Sequence, residues 1–134
     1  MTPQRGSVRR QVHIKRSPDD VWALVGDPAR LPEWFPGITD AVVDGTSRVI
    51  TTGSGMPMPE EILTNDPLQR RFQYRITAPI VREHVSTLDV LDLGDGTCLV
   101  VYAADADPAT MALVIAGAAG NALENLRMIM EGAR

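Results

Sequence analysis

Residues 107–134, DPATMALVIAGAAGNALENLRMIMEGAR, hold the one long helical pattern in the chain, and it comes last. Asp107-Pro108 supplies a helix start. Met111, Ile115, Ala118, Ala119, Ala122, Leu126 and Ile129 then recur at helical spacing and make one apolar face. Glu124, Arg127 and Glu131 lie off it. Residues 114–122, VIAGAAGNA, are almost all small. Each of the two glycines there weakens an isolated helix by ~1 kcal/mol relative to alanine, so packing must stabilise the helix. Leu123 to Met130 carries the bulk. These features predict a pocket against Met111, Ile115, Ala118 and Ala119, closed beyond Leu126.

Everything before this helix reads mainly as strands. Val8 to Lys15 alternates, with Val8, Val12 and Ile14 on one side and Arg10 breaking the apolar parity. Ser17-Pro18-Asp19-Asp20 is a helix start with an N-cap serine, proline in the first turn and acids beside it, and Val21, Leu24 and Val25 face inward. Asp27-Pro28 opens a second short helix with Leu31, Trp34 and Phe35 on its apolar side, and Pro36-Gly37 ends it. Ile38–Asp44 and Ser47–Thr52 read as strands around an Asp44-Gly45-Thr46 turn. Proline and glycine make Gly53 to Pro59 a loop. Glu60–Asn65 and Arg70–Thr77 are the next strands. Arg82–Leu93 and Thr97–Asp105 form a long hairpin. Asp95-Gly96 suits a two-residue type I′ turn, which sets Leu88 against Ala103, Val90 against Val101, Ser86 against Asp105 and His84 against Asp107. Short turns make neighbours pair antiparallel. The expected architecture is α+β, a seven-stranded antiparallel curved sheet around the C-terminal helix, in the order β-α-α-β6-α.

The chain has 134 residues, which predicts one domain spanning 1–134. Hydrophobic residues are 44% and charged residues 22%, a soluble globular composition. Net charge is -4, and Arg5, Arg9, Arg10, Lys15 and Arg16 are outweighed by acids elsewhere, which argues against nucleic-acid binding. Cys98 is the sole cysteine and there are two histidines, so neither an intramolecular disulfide nor a dedicated zinc site is expected. No cofactor is implied. The N-terminal residues lack the apolar core of a secretory signal and no run reaches the ~18 apolar residues of a membrane span, so the expectation is a cytoplasmic monomer or weak homodimer.

Polar residues at strand positions supply the candidates for chemistry. Tyr74 falls roughly opposite His84 across the Ala78-Pro79 turn, and the hairpin sets Ser86 against Asp105. On an inward face these groups would meet apolar walls made by Trp34, Leu88, Val101, Ala103, Met111, Ile115 and Ala119, the usual make-up of a ligand site. His84 titrates near neutrality when unperturbed, and Asp105 would resist ionisation if buried, so the two are the candidate acid/base pair. The competing reading leaves both solvated near strand ends. Ser86 and His84, two apart on one strand, do not make a Ser–His–acid nucleophile. Glu60 and Glu61 point to opposite faces, with Glu61 set toward Arg71 or Arg75 as a surface ion pair. Met56 and Met58 are either an adaptable rim or a mobile loop.

The stretches SPDDVWALVGDPARLPEWFPGI, EEILTNDPLQRRFQYRI, LDVLDLGDGTCLVVY and GNALENLRMIME, in this order, resemble the START/Bet v 1-like (SRPBCC) superfamily with its helix-grip fold. The likeness is greatest to its polyketide cyclase/dehydrase and lipid-transport members. It covers nearly the whole chain through packing patterns and contains no catalytic signature. The resemblance implies a deep apolar cavity between sheet and long helix. It also implies an apolar residue near the position of Asp105, where this chain has a carboxylate. Aromatics are only 4% of the chain, which together with Asp105 counts against a close match to aromatic polyketide cyclases. Three functions follow as expectations. The first is binding of a small hydrophobic ligand, lipid-like or aromatic. The second is a polyketide cyclase, aromatase or dehydratase using His84 and Asp105, with Tyr74 orienting an oxygen. The third is an accessory protein that docks through Met56 and Met58.

Overall fold

The computed structural model describes residues 5–132. The strands are β1 (Gly6–Ile14), β2 (Ile38–Asp44), β3 (Ser47–Thr52), β4 (Pro57–Asp66), β5 (Arg71–Ile76), β6 (Glu83–Asp92) and β7 (Cys98–Asp107). The helices are α1 (Pro18–Val25), α2 (Leu31–Trp34, preceded by one 3₁₀ turn at Pro28–Arg30) and α3 (Ala109–Met130). The expected order and the seven-stranded antiparallel sheet are both present. The strands lie in the order β1-β7-β6-β5-β4-β3-β2, so the first strand returns to pair with the last.

The helix starts behave as their residues dictate. Ser17 accepts the Asp20 N–H at 3.1 Å, and Asp27 accepts the Ala29 N–H at 3.1 Å. Val21, Leu24, Val25, Leu31, Trp34 and Phe35 are buried against the concave face of the sheet. Asn125 of α3 donates to the Trp34 carbonyl at 3.0 Å and ties α2 to the long helix.

Three expectations are corrected. The first is the hairpin register. Asp92 pairs with Cys98, and the Leu93 N–H bonds the Thr97 carbonyl at 3.2 Å, so Gly94-Asp95-Gly96 is a three-residue loop. Both glycines take positive φ, 81° and 84°, and the Asp92 and Asp95 carboxylates cap the loop N–H groups of Gly94 and Thr97. An odd loop shifts every pair by one residue relative to a two-residue turn. His84 therefore faces Ala106, Ser86 faces Ala104, Leu88 faces Tyr102 and Val90 faces Val100.

The second concerns Gly53 to Pro59. β4 already begins at Pro57, with Thr51 opposite Pro57 and Val49 opposite Pro59. The Pro59 carbonyl accepts from Thr77, just past the end of β5. The N–H groups these prolines lack thus fall where β5 has ended, so the ladder tolerates them.

The third is the contact face of α3. The residues that face the sheet are Ala112, Ala116, Ala119, Ala122, Leu123, Leu126 and Met130, while Ala118 is exposed and Ile129 is 44% exposed. The predicted face followed the bulky residues, but α3 lies so close to β1 and β7 that alanines make the contact. A Cβ on Gly6 would stand 2.9 Å from the Ala109 carbonyl oxygen. Arg10 breaks the parity of β1 because its stem lies along Gly120, 3.7 Å from where a Cβ would be. Ala112, Ala116, Ala119 and Ala122 have no exposed surface, so the predicted space against Met111, Ile115, Ala118 and Ala119 is closed by close approach.

Candidate functional site

The concave face carries a line of buried polar side chains. Arg48 on β3 and Glu60 on β4 face each other across the ladder, 2.7 Å apart and both almost fully buried. Arg48 also donates to the Pro28 carbonyl at 3.2 Å, and its guanidinium lies over the rings of Phe72 (5.4 Å) and Tyr74 (5.0 Å). Burial pushes the Glu60 carboxyl up while Arg48 pulls it down. Next along the face, the phenol oxygens of Tyr74 and Tyr102 are hydrogen-bonded. Desolvation raises both phenols above their ordinary range, so both carry their protons at neutral pH.

The line continues through Ser86 to His84. Ser86 stands opposite Tyr74 across the ladder, and its hydroxyl lies 2.7 Å from His84 Nε2. The Ile76 N–H donates to His84 Nδ1 at 2.8 Å. An Nδ1 that accepts a backbone N–H has no proton, so the neutral ring carries its hydrogen on Nε2 and donates it to Ser86. Burial lowers the His84 pKa to about 4, partly countered by the negative charge of Asp105.

Two cavities flank this line. One, of about 10 Å³, lies inside and is lined by Val25, Leu31, Trp34, Arg48, Tyr74 and Tyr102 among others. It holds no more than about one water. Trp34 is part of this lining, and its buried Nε1–H has no hydrogen-bond partner among the described residues. The other is an open crevice of about 440 Å³ where β5 and β6 part. Their pairing stops at Tyr74 and Ser86, and the His84 ring fills the base of the gap. Leu63, Ile76, Val81 and Val85 line it, with Arg5, Arg75, Arg82, Glu83 and Asp105 among its charged groups.

The sequence-derived candidates separate between these places. Trp34, Tyr74 and Leu88 line the inner cavity. His84 and Asp105 both line the crevice, but Asp105 pairs with Val85 and stands on the parity opposite to His84. His84 has both ring nitrogens engaged by Ile76 and Ser86, so a direct His84–Asp105 hydrogen bond is not formed. Val101 and Ala103 share the outer face with Asp105 and leave the concave wall to Val100, Tyr102 and Ala104. Tyr74 faces Ser86, with His84 stacked edge-on at 5.5 Å. Met111, Ile115 and Ala119 line neither cavity. Glu61 pairs with Arg75 on the surface. Met56 is exposed, and Met58 packs against the core.

Arg48, Glu60 and Tyr102 were missed by sequence reading. The pairing of Glu61 outward with Arg75 was the available signal for Glu60, since alternation then sends Glu60 inward. Among the described residues no cluster of three or more His, Cys, Asp or Glu side chains could hold a metal ion, and no helix is long and apolar enough to cross a membrane.

Comparison with known proteins fits this architecture. The family described as polyketide cyclase/dehydrase and lipid transport matches residues 5–131. No curated protein matches the chain. Among solved structures, the protein XoxI of Bacillus cereus superposes with a TM-score of 0.87 at 23% identity, covering 93% of this chain and 95% of that one. A START superfamily protein of Mycobacterium smegmatis gives 0.70 at 16% identity over 95% of each chain. Norcoclaurine synthase of Thalictrum flavum, in complex with dopamine and hydroxybenzaldehyde, gives 0.75 at 16% identity, covering 97% of this chain and 88% of that one. At these identities the likeness is one of fold.

Proposed function

The chain belongs to the polyketide cyclase/dehydrase and lipid transport family, with a START/Bet v 1-like helix-grip fold, and on that premise we propose that it binds a small, mostly apolar molecule in its interior. The ligand is lipid-like or an aromatic, polyketide-like metabolite. It lies between the concave sheet and the helices, beneath α2. The observation that carries this reading is Trp34, whose N–H is buried without a partner and which lines a cavity together with Arg48, Tyr74 and Tyr102. Buried polar groups are nearly always paired, and an orphan needs a reason. Apolar walls with a few convergent polar groups are the usual composition of a ligand site. At about 10 Å³ the cavity is collapsed, so uptake requires the Trp34–Phe35 segment to move off the sheet.

A cyclase, aromatase or dehydratase is the second reading. The Tyr74–Tyr102 pair favours it, because two protonated phenols beside Arg48 are placed to polarise a carbonyl oxygen. His84 and Asp105 support it less, with the ring nitrogens engaged and the carboxylate on the other parity. The test is mass spectrometry of organic extracts of the purified protein, joined to an NMR titration with fatty acids and small aromatic compounds. A co-purified apolar molecule, or saturable shifts at Trp34 and Tyr102, is expected. Clean extracts and no saturable shift with any probe would overturn the binding reading.

A further inference from the structure

A hydrogen-bonded rung is missing where β5 and β6 part, and the groups it would have used face the crevice. The Val90 N–H bonds the Arg70 carbonyl at 3.0 Å, which places the following rungs of this ladder at Phe72 with Leu88 and at Tyr74 with Ser86. The next rung would join Ile76 to His84. It is not made, because pairing stops at Tyr74 and the Ile76 N–H bonds the His84 ring instead, at 2.8 Å. The His84 carbonyl therefore faces the gap without its ladder donor.

Charge in the crevice is out of balance as well. Arg5 meets Glu83 at 3.5 Å, Arg82 meets Asp107 at 2.6 Å and Arg75 meets Glu61 at 2.5 Å. Asp105 lines the same crevice, half-buried, and its side chain has no ion-pair or hydrogen-bond partner among the described residues. Three guanidiniums are thus matched by three carboxylates, and a fourth carboxylate is left over. His84 is neutral near pH 7 and offsets none of it. An entering anion would have to draw an arginine away from its acid, whereas a cation takes a place that is free. Leu63, Ile76, Val81 and Val85 form apolar walls around these groups. At about 440 Å³ the space lies in the range of small-molecule sites.

We propose that the crevice between β5 and β6 is a second ligand site, one that takes a primary ammonium carried on a short apolar chain. An ammonium brings three N–H donors and one positive charge. Asp105 supplies the countercharge, and the free His84 carbonyl is a further acceptor in the same space. The apolar chain lies along Leu63, Val81 and Val85. The site does not depend on the interior being a ligand site. Asp105 and Val85 pair on the outer parity of the sheet, whereas Tyr74 and Tyr102 line the inner cavity on the concave side.

The experiment is an NMR titration of the full chain at neutral pH with hexylammonium and with hexanoate, which share a chain length and differ in the sign of their charge. Hexylammonium is expected to give saturable shifts at the amides of Ile76, His84 and Val85. Hexanoate should bind there at least about tenfold more weakly, the worth of one charge-assisted hydrogen bond. Asp105→Asn, at a half-buried position, should keep the fold and weaken hexylammonium about tenfold. Arg5→Ala releases Glu83 as a second carboxylate and should tighten hexylammonium about threefold. The proposal is overturned if hexylammonium leaves those three amides unmoved, if hexanoate binds there as tightly, or if Asp105→Asn keeps the wild-type affinity. Should Asp105→Asn not fold, Arg5→Ala decides, and an affinity there that is unchanged or lower would overturn the proposal. Shifts at Trp34 and Tyr102 with either compound bear on the interior alone, so each site can fail while the other stands.

Discussion

His84 couples pH to the integrity of the sheet. Its folded pKa, about 4, lies below the ordinary 6.5 because the buried ring resists charge. Above pH 6.5 the ring is neutral in both states and contributes no pH dependence. As pH falls from 6.5 toward 4, the unfolded chain takes up a proton that the folded ring refuses, so stability falls through that window and levels off below it. The loss is no more than about 3 kcal/mol, since the crevice brings solvent to one side of the ring. Denaturant titrations at pH 7, 5.5 and 4 should show this slope in the wild type and a shallower one in His84→Gln. Equal slopes would refute the burial of a neutral ring. Arg48 and Glu60 make the second residue-scale prediction. Arg48→Ala or Glu60→Ala strands a buried charge and should cost roughly 3–5 kcal/mol, whereas the double change Arg48→Met with Glu60→Leu should cost less than either. Chemical denaturation of the three variants measures this, and a double variant as unstable as the sum of the singles would contradict it. These two residues show why the site was only half legible. Adjacent Val49 and Ile50 leave the parity of β3 ambiguous, and a charged residue pointing inward is the outcome that alternation predicts least. Tyr74 and Trp34 were legible because each sits in an unambiguous apolar pattern.

At the scale of elements, contact between α3 and the sheet is governed by the absence of side chains. A Cβ on Gly6 would press on the Ala109 carbonyl at 2.9 Å, against backbone that cannot yield cheaply. Gly6→Ala should therefore lower stability, although alanine normally suits folded backbone better than glycine. Gly117 is the internal control. A Cβ there meets nothing within 4 Å, so Gly117→Ala should stabilise by about 1 kcal/mol through helix propensity alone. Ala119 has no exposed surface. Ala119→Phe should abolish folding or cost several kcal/mol by overpacking, on the order of 3 or more. Thermal unfolding of the three variants reads out all of this. A well-folded Ala119→Phe protein would show that space exists under α3 after all. The sequence carried the element order and most boundaries, because caps, turns and alternation are local. It did not carry the rotation of α3 or the hairpin parity. A run of alanines and glycines has no bulky side to mark the contact. The choice between two and three loop residues at Gly94-Asp95-Gly96 turns on whether Gly94 joins Gly96 at positive φ, and one residue of slip moved Asp105, Val101 and Ala103 to the outer face.

For the molecule as a whole, a filled interior and a binding function are compatible only if part of the fold opens at low cost. Stability is unevenly spread in such a structure. β6 and β7 pair along their full length and sit mid-sheet, with partners on both sides. The α2 segment is four residues long. Besides the packing of Leu31, Trp34 and Phe35, its main ties are the Phe35 N–H on Leu31, the Ile38 N–H on Phe35 and Asn125 on the Trp34 carbonyl. Trp34 and Leu31, with Val25 and Asp27 from the end of α1, also line the inner cavity from the helix side. A short segment with few hydrogen-bond ties is therefore the cover of the proposed site. Amides of Phe35 and Ile38 are expected to exchange with solvent at least about a hundredfold faster than those of Val90 and Val100, an opening roughly 3 kcal/mol or more easier than unfolding. A bound ligand should slow the first pair and leave the second unchanged. Asn125→Leu, which removes the tie to α3, should speed exchange at Phe35 and quicken ligand uptake together. If instead Phe35 and Ile38 exchange as slowly as the core of β6 and β7, α2 opens only with the whole fold. The interior would then be a sealed core, and the crevice between β5 and β6 would be the one place of ligand size left among the cavities that flank His84.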